Sequence, residues 1–147
     1  MLHEGDPTPA FELPASGGRT VRSDEFRGRP LLIYFYPKAD TSGCTAQACG
    51  LQEALPALEQ LDLAVVGVSP DPVRALDKFA QKYGLTFPLA SDAEHVLADR
   101  FGTWVEKSMY GRTYWGMERS SFLVGRDGVI RREWRRVKPA EHAAAVR

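Results

Sequence analysis

The two cysteines are the residues of this chain with the most distinctive chemistry. Cys44 and Cys49 are separated by four residues. Cys44 follows a continuous apolar and aromatic run, 31–36, and a short polar loop, so we expect it in the first turn of a helix that begins just beyond a buried strand. Free amides at a helix N-terminus stabilise an anion, and the thiolate is the nucleophilic form of cysteine. This position favours a reactive cysteine over a thiol that only packs as a small apolar side chain.

Other kinds of cysteine site fit the sequence less well. A structural disulfide is not expected, because we place the chain in the cytosol, where thiols are kept reduced. A zinc site would need two further ligands, and none of the three histidines pairs with a cysteine at metal-ligand spacing. A Cys–His protease dyad would require the fold to bring His95 to Cys44. We therefore predict no metal and no cofactor.

The segment around Cys44 resembles the active-site signature of a known family. Pro37, Thr41 and Cys44 match the Pro-x-x-x-Thr-x-x-Cys pattern of the peroxiredoxins, and the Cys-x4-Cys spacing is similar to that of the bacterioferritin-comigratory (PrxQ) subfamily. Similarity to this subfamily continues over 84–101 and 119–128, so it spans nearly the whole chain. The resemblance implies a thioredoxin-like fold and thiol-dependent reduction of hydrogen peroxide and organic hydroperoxides.

The resemblance also gives roles to five residues. Cys44 is expected to attack the peroxide and become a sulfenic acid, and Cys49 to condense with it to an intramolecular disulfide. Thr41 is expected to exchange hydrogen bonds with the thiolate and the peroxide, and Pro37 to keep water off the sulfur. Arg119 is expected to stabilise the thiolate and the charge that develops on the leaving oxygen. Without the resemblance, Thr41 would read as a helix cap and Arg119 as a surface charge.

The expected partners follow from the same resemblance. A thioredoxin-type or glutaredoxin-type protein would reduce the disulfide again, and the subfamily favours a monomer. Two other functions stay open on the sequence alone. One is a thioredoxin-like disulfide reductase, although that chemistry usually uses Cys-x-x-Cys. The other is a non-enzymatic, redox-sensing module.

Strand and helix signals alternate along the chain, which indicates an α/β fold. Runs of apolar residues without polar alternation predict buried strands at 31–36 and 64–69. Helical spacing of apolar residues predicts a helix over 73–83. In the helix that contains Cys44, we expect Gly50 to weaken the structure and Pro56 to end it or to open a second helix.

The remaining segments complete the expected sheet. Shorter strands and helices are predicted over 10–13, 20–22, 87–90, 95–101 and 139–146. An Asp127-Gly128 turn between strands at 121–124 and 129–134 predicts a hairpin, which would make the sheet mixed. Together with the resemblance, these elements predict one thioredoxin-like domain over 1–147, with a central mixed β-sheet flanked by helices.

The tryptophans are interpreted as packing residues. They are Trp104, Trp115 and Trp134. Trp115 lies close to Arg119 in the sequence, and its alternative position is at the entrance to the site.

The composition limits the classes of partner. The chain has 19 basic and 19 acidic residues, so nothing favours nucleic acid or an anionic membrane as a partner. No apolar run approaches the ~20 residues of a membrane helix. Residues 1–6 lack the basic head and apolar core of a secretory signal. We therefore expect a cytoplasmic enzyme with no nucleic acid or membrane partner.

Overall fold

Strands and helices alternate through residues 1–135, which the computed structural model describes. The strands are β1 (Glu12–Pro14), β2 (Thr20–Arg22), β3 (Leu31–Phe35), β4 (Ala64–Ser69), β5 (Leu89–Ser91), β6 (Trp104–Met109), β7 (Arg112–Met117), β8 (Ser120–Val124) and β9 (Ile130–Arg135). The helices are α1 (Ser42–Gln60), α2 (Val73–Tyr83) and α3 (Val96–Phe101). The predicted helix over 139–146 lies outside the described residues.

A five-stranded sheet forms the centre of the fold, in the order β5-β4-β3-β8-β9. The strands β3, β4 and β5 are parallel, while β8 runs antiparallel to β3 and β9 antiparallel to β8. Every residue of β3 and β4 is buried, as their apolar sequences predicted. The predicted mixed sheet is confirmed, and the closing β8–β9 hairpin accounts for its antiparallel part.

Helices cover both faces of this sheet. Successive residues of a strand point to opposite faces. On one side Leu32 and Tyr34 of β3 join the buried faces of α1 and α2. On the other side Ile33 and Phe35 join the buried face of α3. Because Cys44 belongs to the first of these clusters, the site lies on the α1 and α2 side of the sheet.

The helix that contains Cys44 continues through Pro56, so the prediction that Pro56 ends it or opens a second helix was wrong. A proline inside a helix removes one backbone hydrogen bond and costs about 3 kcal/mol. Pro56 itself lies on the exposed side of the helix. Leu55 and Leu58 beside it are buried in the core. Burial of such side chains contributes about 1.5–3 kcal/mol each, which outweighs the loss.

A hairpin that the sequence analysis missed links α3 to β8. Strands β6 and β7 pair only with each other, in a separate two-stranded sheet that we call the β6–β7 arm. Its turn is Tyr110-Gly111, both residues with positive φ, as a tight hairpin requires. Trp104 at the base of the arm packs against the core, but Trp115 is 59% exposed, so the packing interpretation of Trp115 was wrong.

No helix of the described part of the chain is both long and apolar enough to cross a membrane.

Because Gly67 of β4 has no side chain, the Tyr34 ring can occupy the space next to it, beneath α1. A methyl group at Gly67 would lie 2.9 Å from the Tyr34 Cζ and hydroxyl oxygen, and this ring is buried. We expect Gly67→Ala to lower the free energy of unfolding by about 1–3 kcal/mol, because overpacking forces the ring or the strand to move. Urea denaturation measures the change. In the control Gly125→Ala, the nearest side chain is the flexible Arg131, so a shift below ~0.5 kcal/mol is expected. Equal shifts in both variants would contradict this account.

Candidate active site

Cys44 is the third residue of α1 and lies in its first turn, as predicted. The first backbone hydrogen bond of the helix runs from the Thr45 amide to the Thr41 carbonyl, at 2.8 Å. The amides of residues 42–44 therefore have no acceptor within the helix and form its positive end. The Cys44 side chain is only 1% exposed and carries a free thiol. A sulfur in this position is shielded from bulk water and faces a local field that favours negative charge.

The pairing of β3 with β8 brings Arg119 to this sulfur. Phe35 pairs with Ser120, so the last residue of β3 lies beside the first residue of β8. The loop to α1 leaves the sheet at the same edge where Arg119 enters it. The Arg119 Nη2 donates to Cys44 Sγ at 3.3 Å, although 75 residues separate them in the sequence. A guanidinium cation is thus in direct contact with the Cys44 sulfur.

Gln47 is a residue whose part in the site the sequence analysis did not identify. Its Oε1 accepts a hydrogen bond from Arg119 Nη1 at 2.6 Å, so the guanidinium is held by two α1 residues one turn apart. The Gln47 side chain is fully buried, and its Nε2 has no hydrogen-bond partner among residues 1–135. The signal was available, because residues i and i+3 of a helix share a face and Gln47 stands three residues after Cys44.

Hydrogen bonds tie the loop before α1 to the second helix and to the loop that precedes that helix. We call residues 37–41 the active-site loop. The Ala39 amide donates to the Asp71 carboxylate at 2.7 Å. Asp40, which has a positive φ of 60°, accepts from the Tyr83 hydroxyl at 2.7 Å and from Lys82 Nζ at 3.0 Å. The hydrogen bonds from Tyr83 and Lys82 lower the pKa of Asp40, so its carboxylate stays charged and holds the loop at neutral pH.

Thr41 and Pro37 both lie on the active-site loop. Thr41 occupies the N-cap position of α1, but its side chain makes no capping hydrogen bond. Its hydroxyl instead donates to the Lys38 carbonyl at 2.8 Å, which leaves the oxygen lone pairs able to accept a hydrogen bond. Pro37 follows the buried Tyr36 at the end of β3 and is half-buried. The catalytic roles of Thr41 and Pro37 stay predictions.

Cys49 lies on α1 beyond Cys44, half-buried, with a free thiol. Five residues of regular helix turn the chain by about 140° between the two side chains and separate the Cα atoms by roughly 8–9 Å. A disulfide needs Cα atoms within ~7 Å. The two cysteines therefore cannot bond while this part of α1 stays helical.

Two tyrosines line the interior beside these cysteines. Tyr34 and Tyr36 stack with their ring centroids 5.3 Å apart and belong to the same buried cluster as Cys44. Burial raises the pKa of both phenols well above the usual value, so both stay neutral. These uncharged rings give the sulfur a low-dielectric surrounding, in which the Arg119 charge acts more strongly than it would in water.

The protease and metal alternatives have no support in the described geometry. His95 precedes α3, on the opposite face of the sheet from Cys44, where it binds Asp99 at 2.9 Å and stacks on Trp104. Within residues 1–135, no group of three or more His, Cys, Asp and Glu side chains is arranged to hold a metal ion.

Comparisons with known proteins point to one family. Residues 5–133 match the AhpC/TSA family. Peroxiredoxin Bcp of Escherichia coli K12 is 43% identical over 145 residues, which cover 99% of this chain and 93% of that protein. Peroxiredoxin Bcp of Bacillus subtilis is 40% identical over 140 residues, which cover 95% of this chain and 89% of that protein.

Solved structures agree with this assignment. A mutant of Xylella fastidiosa PrxQ matches with a TM-score of 0.94 and 36% identity, over 99% of this chain and 93% of that one. The bacterioferritin comigratory protein of Xanthomonas campestris, studied for its alkyl peroxide reduction activity, matches with a TM-score of 0.88 and 40% identity, over 92% of this chain and 87% of that one. The predicted thioredoxin-like fold is confirmed. The chain therefore belongs to the AhpC/TSA family as a peroxiredoxin of the Bcp/PrxQ type, and is accordingly a thiol peroxidase.

Proposed function

We propose that the protein reduces hydrogen peroxide and organic hydroperoxides through a Cys44 sulfenic acid, which Cys49 resolves as an intramolecular disulfide. A thioredoxin-type or glutaredoxin-type protein then reduces the disulfide. The observation that carries this proposal is the contact of Arg119 Nη2 with Cys44 Sγ at the start of α1. The alkyl peroxide reduction named for the Xanthomonas campestris relative supports the organic substrates.

In the first step the Cys44 thiolate attacks one peroxide oxygen. A sulfur–oxygen bond forms, the oxygen–oxygen bond breaks, and the other oxygen leaves as hydroxide or alkoxide, which takes up a proton. Negative charge moves from the sulfur to the leaving oxygen during this step. The contact of the Arg119 guanidinium with the sulfur and the free amides of 42–44 support the proposal that these groups stabilise that charge. We propose that the Thr41 hydroxyl, which donates to the Lys38 carbonyl, accepts a hydrogen bond from the peroxide.

In the second step the Cys49 thiolate attacks the sulfenic sulfur. A sulfur–sulfur bond forms, the sulfur–oxygen bond breaks, and hydroxide leaves and takes up a proton from solvent to become water. Because the helix holds the two sulfurs apart, residues between the active-site loop and about residue 52 must unwind first. Gln52 marks the end of this segment, since its side chain accepts from the Thr86 amide at 2.8 Å and donates to the Thr86 hydroxyl at 3.0 Å. A dithiol reductant then exchanges with the disulfide and restores both thiols.

The alternative of a protein disulfide reductase is disfavoured by the burial of Cys44. A small peroxide can reach a sulfur that is 1% exposed, whereas a protein disulfide cannot approach it without unfolding of the helix. We further propose that residues 1–147 act as one domain, as a monomer in the cytoplasm. Sedimentation of the reduced protein at micromolar concentration tests the monomer, and a dimer would contradict it.

The roles of the two cysteines can be separated by serine substitutions. We expect Cys44→Ser to abolish peroxide turnover, because the attacking sulfur is gone. Cys49→Ser should still consume one equivalent of peroxide and then stop as a sulfenic acid. Turnover coupled to thioredoxin oxidation, together with labelling by a sulfenic-acid probe, measures both outcomes. The proposal fails if Cys44→Ser retains most of the rate, and Cys49 is not the resolving thiol if Cys49→Ser turns over fully with thioredoxin alone.

Arg119→Met tests whether the positive charge of the arginine accelerates attack by the Cys44 sulfur. Methionine keeps the apolar stem but removes the guanidinium that contacts Cys44. We expect the single-turnover rate of peroxide attack to fall at least ~10-fold, the loss of one transition-state contact worth ~1.4 kcal/mol. Arg126→Met, which removes an exposed arginine from the β8–β9 loop, serves as the control and should keep the parent rate. An unchanged rate in Arg119→Met would make Arg119 a structural charge only.

Unwinding of α1 predicts a difference between the reduced and oxidised forms. We expect faster amide hydrogen exchange over residues 42–52 once peroxide has formed the Cys44–Cys49 bond, because those residues lose their helical hydrogen bonds. Exchange measured by mass spectrometry on both forms provides the test, and Cys49→Ser treated with peroxide is the control that should stay protected. Equal protection in both forms, or an oxidised form whose only disulfide joins two chains, would refute the mechanism.

A further inference from the structure

Lys107 is a lysine of the β6–β7 arm whose side chain turns inward. It stands opposite Tyr114 in the register of the arm. Its stem lies across Gly116, where a methyl group would be 3.5 Å from Lys107 Cδ and 3.5 Å from the Tyr114 ring. The ammonium at its end donates a hydrogen bond to the Met117 carbonyl. The lysine thus spans the arm diagonally and ends on the backbone two residues before Arg119.

The backbone that Lys107 contacts carries the arginine of the site. Residues 117–119 connect the arm to the central sheet, because β7 ends at Met117 and β8 begins at Ser120. The Glu118 amide donates to the Thr103 carbonyl at 2.6 Å, and the Met117 side chain is buried. The bond from Lys107 fixes the Met117 carbonyl at the start of this short connection. Arg119 reaches Cys44 and Gln47 from its other end.

The surroundings of Lys107 agree with a position beside the site. Burial lowers the pKa of the Lys107 ammonium, the positive charge of Arg119 lowers it further, and Glu118 and Cys44 act in the opposite direction. The charges that act on this ammonium therefore come from the connection itself and from the sulfur. Full hydration would stabilise a flexible lysine on a surface arm more than this partly buried place does, unless the hydrogen bond to the Met117 carbonyl offsets the difference.

We propose that Lys107 is a positioning residue for peroxide attack, which holds the connection 117–119 so that the Arg119 guanidinium stays on Cys44. This inference rests on the proposed function, since it assumes that the Arg119 contact accelerates attack by Cys44. Lys107 acts through the backbone, whereas Arg119 touches the reacting sulfur. Removing the lysine leaves Arg119 present but free to leave the sulfur.

The test is a double-mutant cycle on the rate of a single turnover with hydrogen peroxide. Lys107→Met keeps the stem across Gly116 and removes the donor, and we expect a five- to tenfold slower reaction, about the effect of one hydrogen bond. In the Arg119→Met background the same change should alter the rate less than about twofold, because no guanidinium is left to position. Lys107→Arg, which keeps a donor of similar reach, should recover most of the rate.

A matched control separates a role through Arg119 from a general effect of positive charge on the arm. Arg112→Met removes a positive charge from the same face of the arm, at an exposed position away from Met117, and should keep the parent rate. An unchanged rate in Lys107→Met overturns the inference. A loss of the same size in the Arg119→Met background, or in Arg112→Met, also overturns it, since the lysine then acts as a charge and not through Arg119.

Folding is controlled by the urea midpoint of each variant. If Lys107→Met does not fold, Lys107→Leu, which also lacks a donor, replaces it in the same cycle with the same expected pattern. Cys44→Ser distinguishes a failure of the positioning role from a failure of the proposed function. Loss of turnover in Cys44→Ser with an unchanged rate in Lys107→Met rejects the positioning role and leaves the proposed function standing. Retained turnover in Cys44→Ser rejects both.

Discussion

The contact between a guanidinium and a buried sulfur is the interaction on which the site depends, and the register of two strands determines it. Because Phe35 pairs with Ser120, Arg119 enters the sheet at the edge where the chain leaves toward Cys44. A slip of one residue would turn every β8 side chain to the opposite face. The buried Phe122 and the half-buried Leu123 would then exchange environments, so the same apolar pattern that forms the core also fixes the position of the cation.

The first turns of α1 meet two opposing requirements. In the proposed mechanism the sulfur is buried in an ordered helix for attack, and the same helix opens for resolution. Intrinsic stabilisation of this end is weak, since its first turn has neither an acidic residue nor a side-chain cap. Tertiary contacts hold it from outside instead, through Asp40 on the active-site loop and Gln52 beyond Cys49. The stretch between these anchors is the part of α1 that the proposed mechanism requires to unwind.

Local sequence patterns predicted the elements that short-range interactions determine. They failed where contacts between residues distant in the sequence determine the structure. The apolar runs of β3 and β4 and the helix start at Cys44 followed from composition and spacing. The prediction that Pro56 ends the helix or opens a second one was wrong, because the burial of its neighbours Leu55 and Leu58 depends on core contacts with residues far away in the sequence. The β6–β7 arm was missed, because its strands carry exposed charges and aromatics and bury few residues. Only the family resemblance pointed to Arg119, since nothing near it in the sequence encodes the β3–β8 register.

Position 47 carries an amide and not a carboxylate, and this difference affects the charge of Arg119 beside Cys44. A carboxylate there would bind the guanidinium more strongly, as charge-assisted pairs do. It would also cancel the positive charge at the place where the sulfur and the leaving oxygen need it. Gln47 accepts from Arg119 without neutralising it, and its own Nε2 is buried without a partner among residues 1–135. Under the proposed mechanism, Gln47 holds the arginine in place without reducing its positive charge.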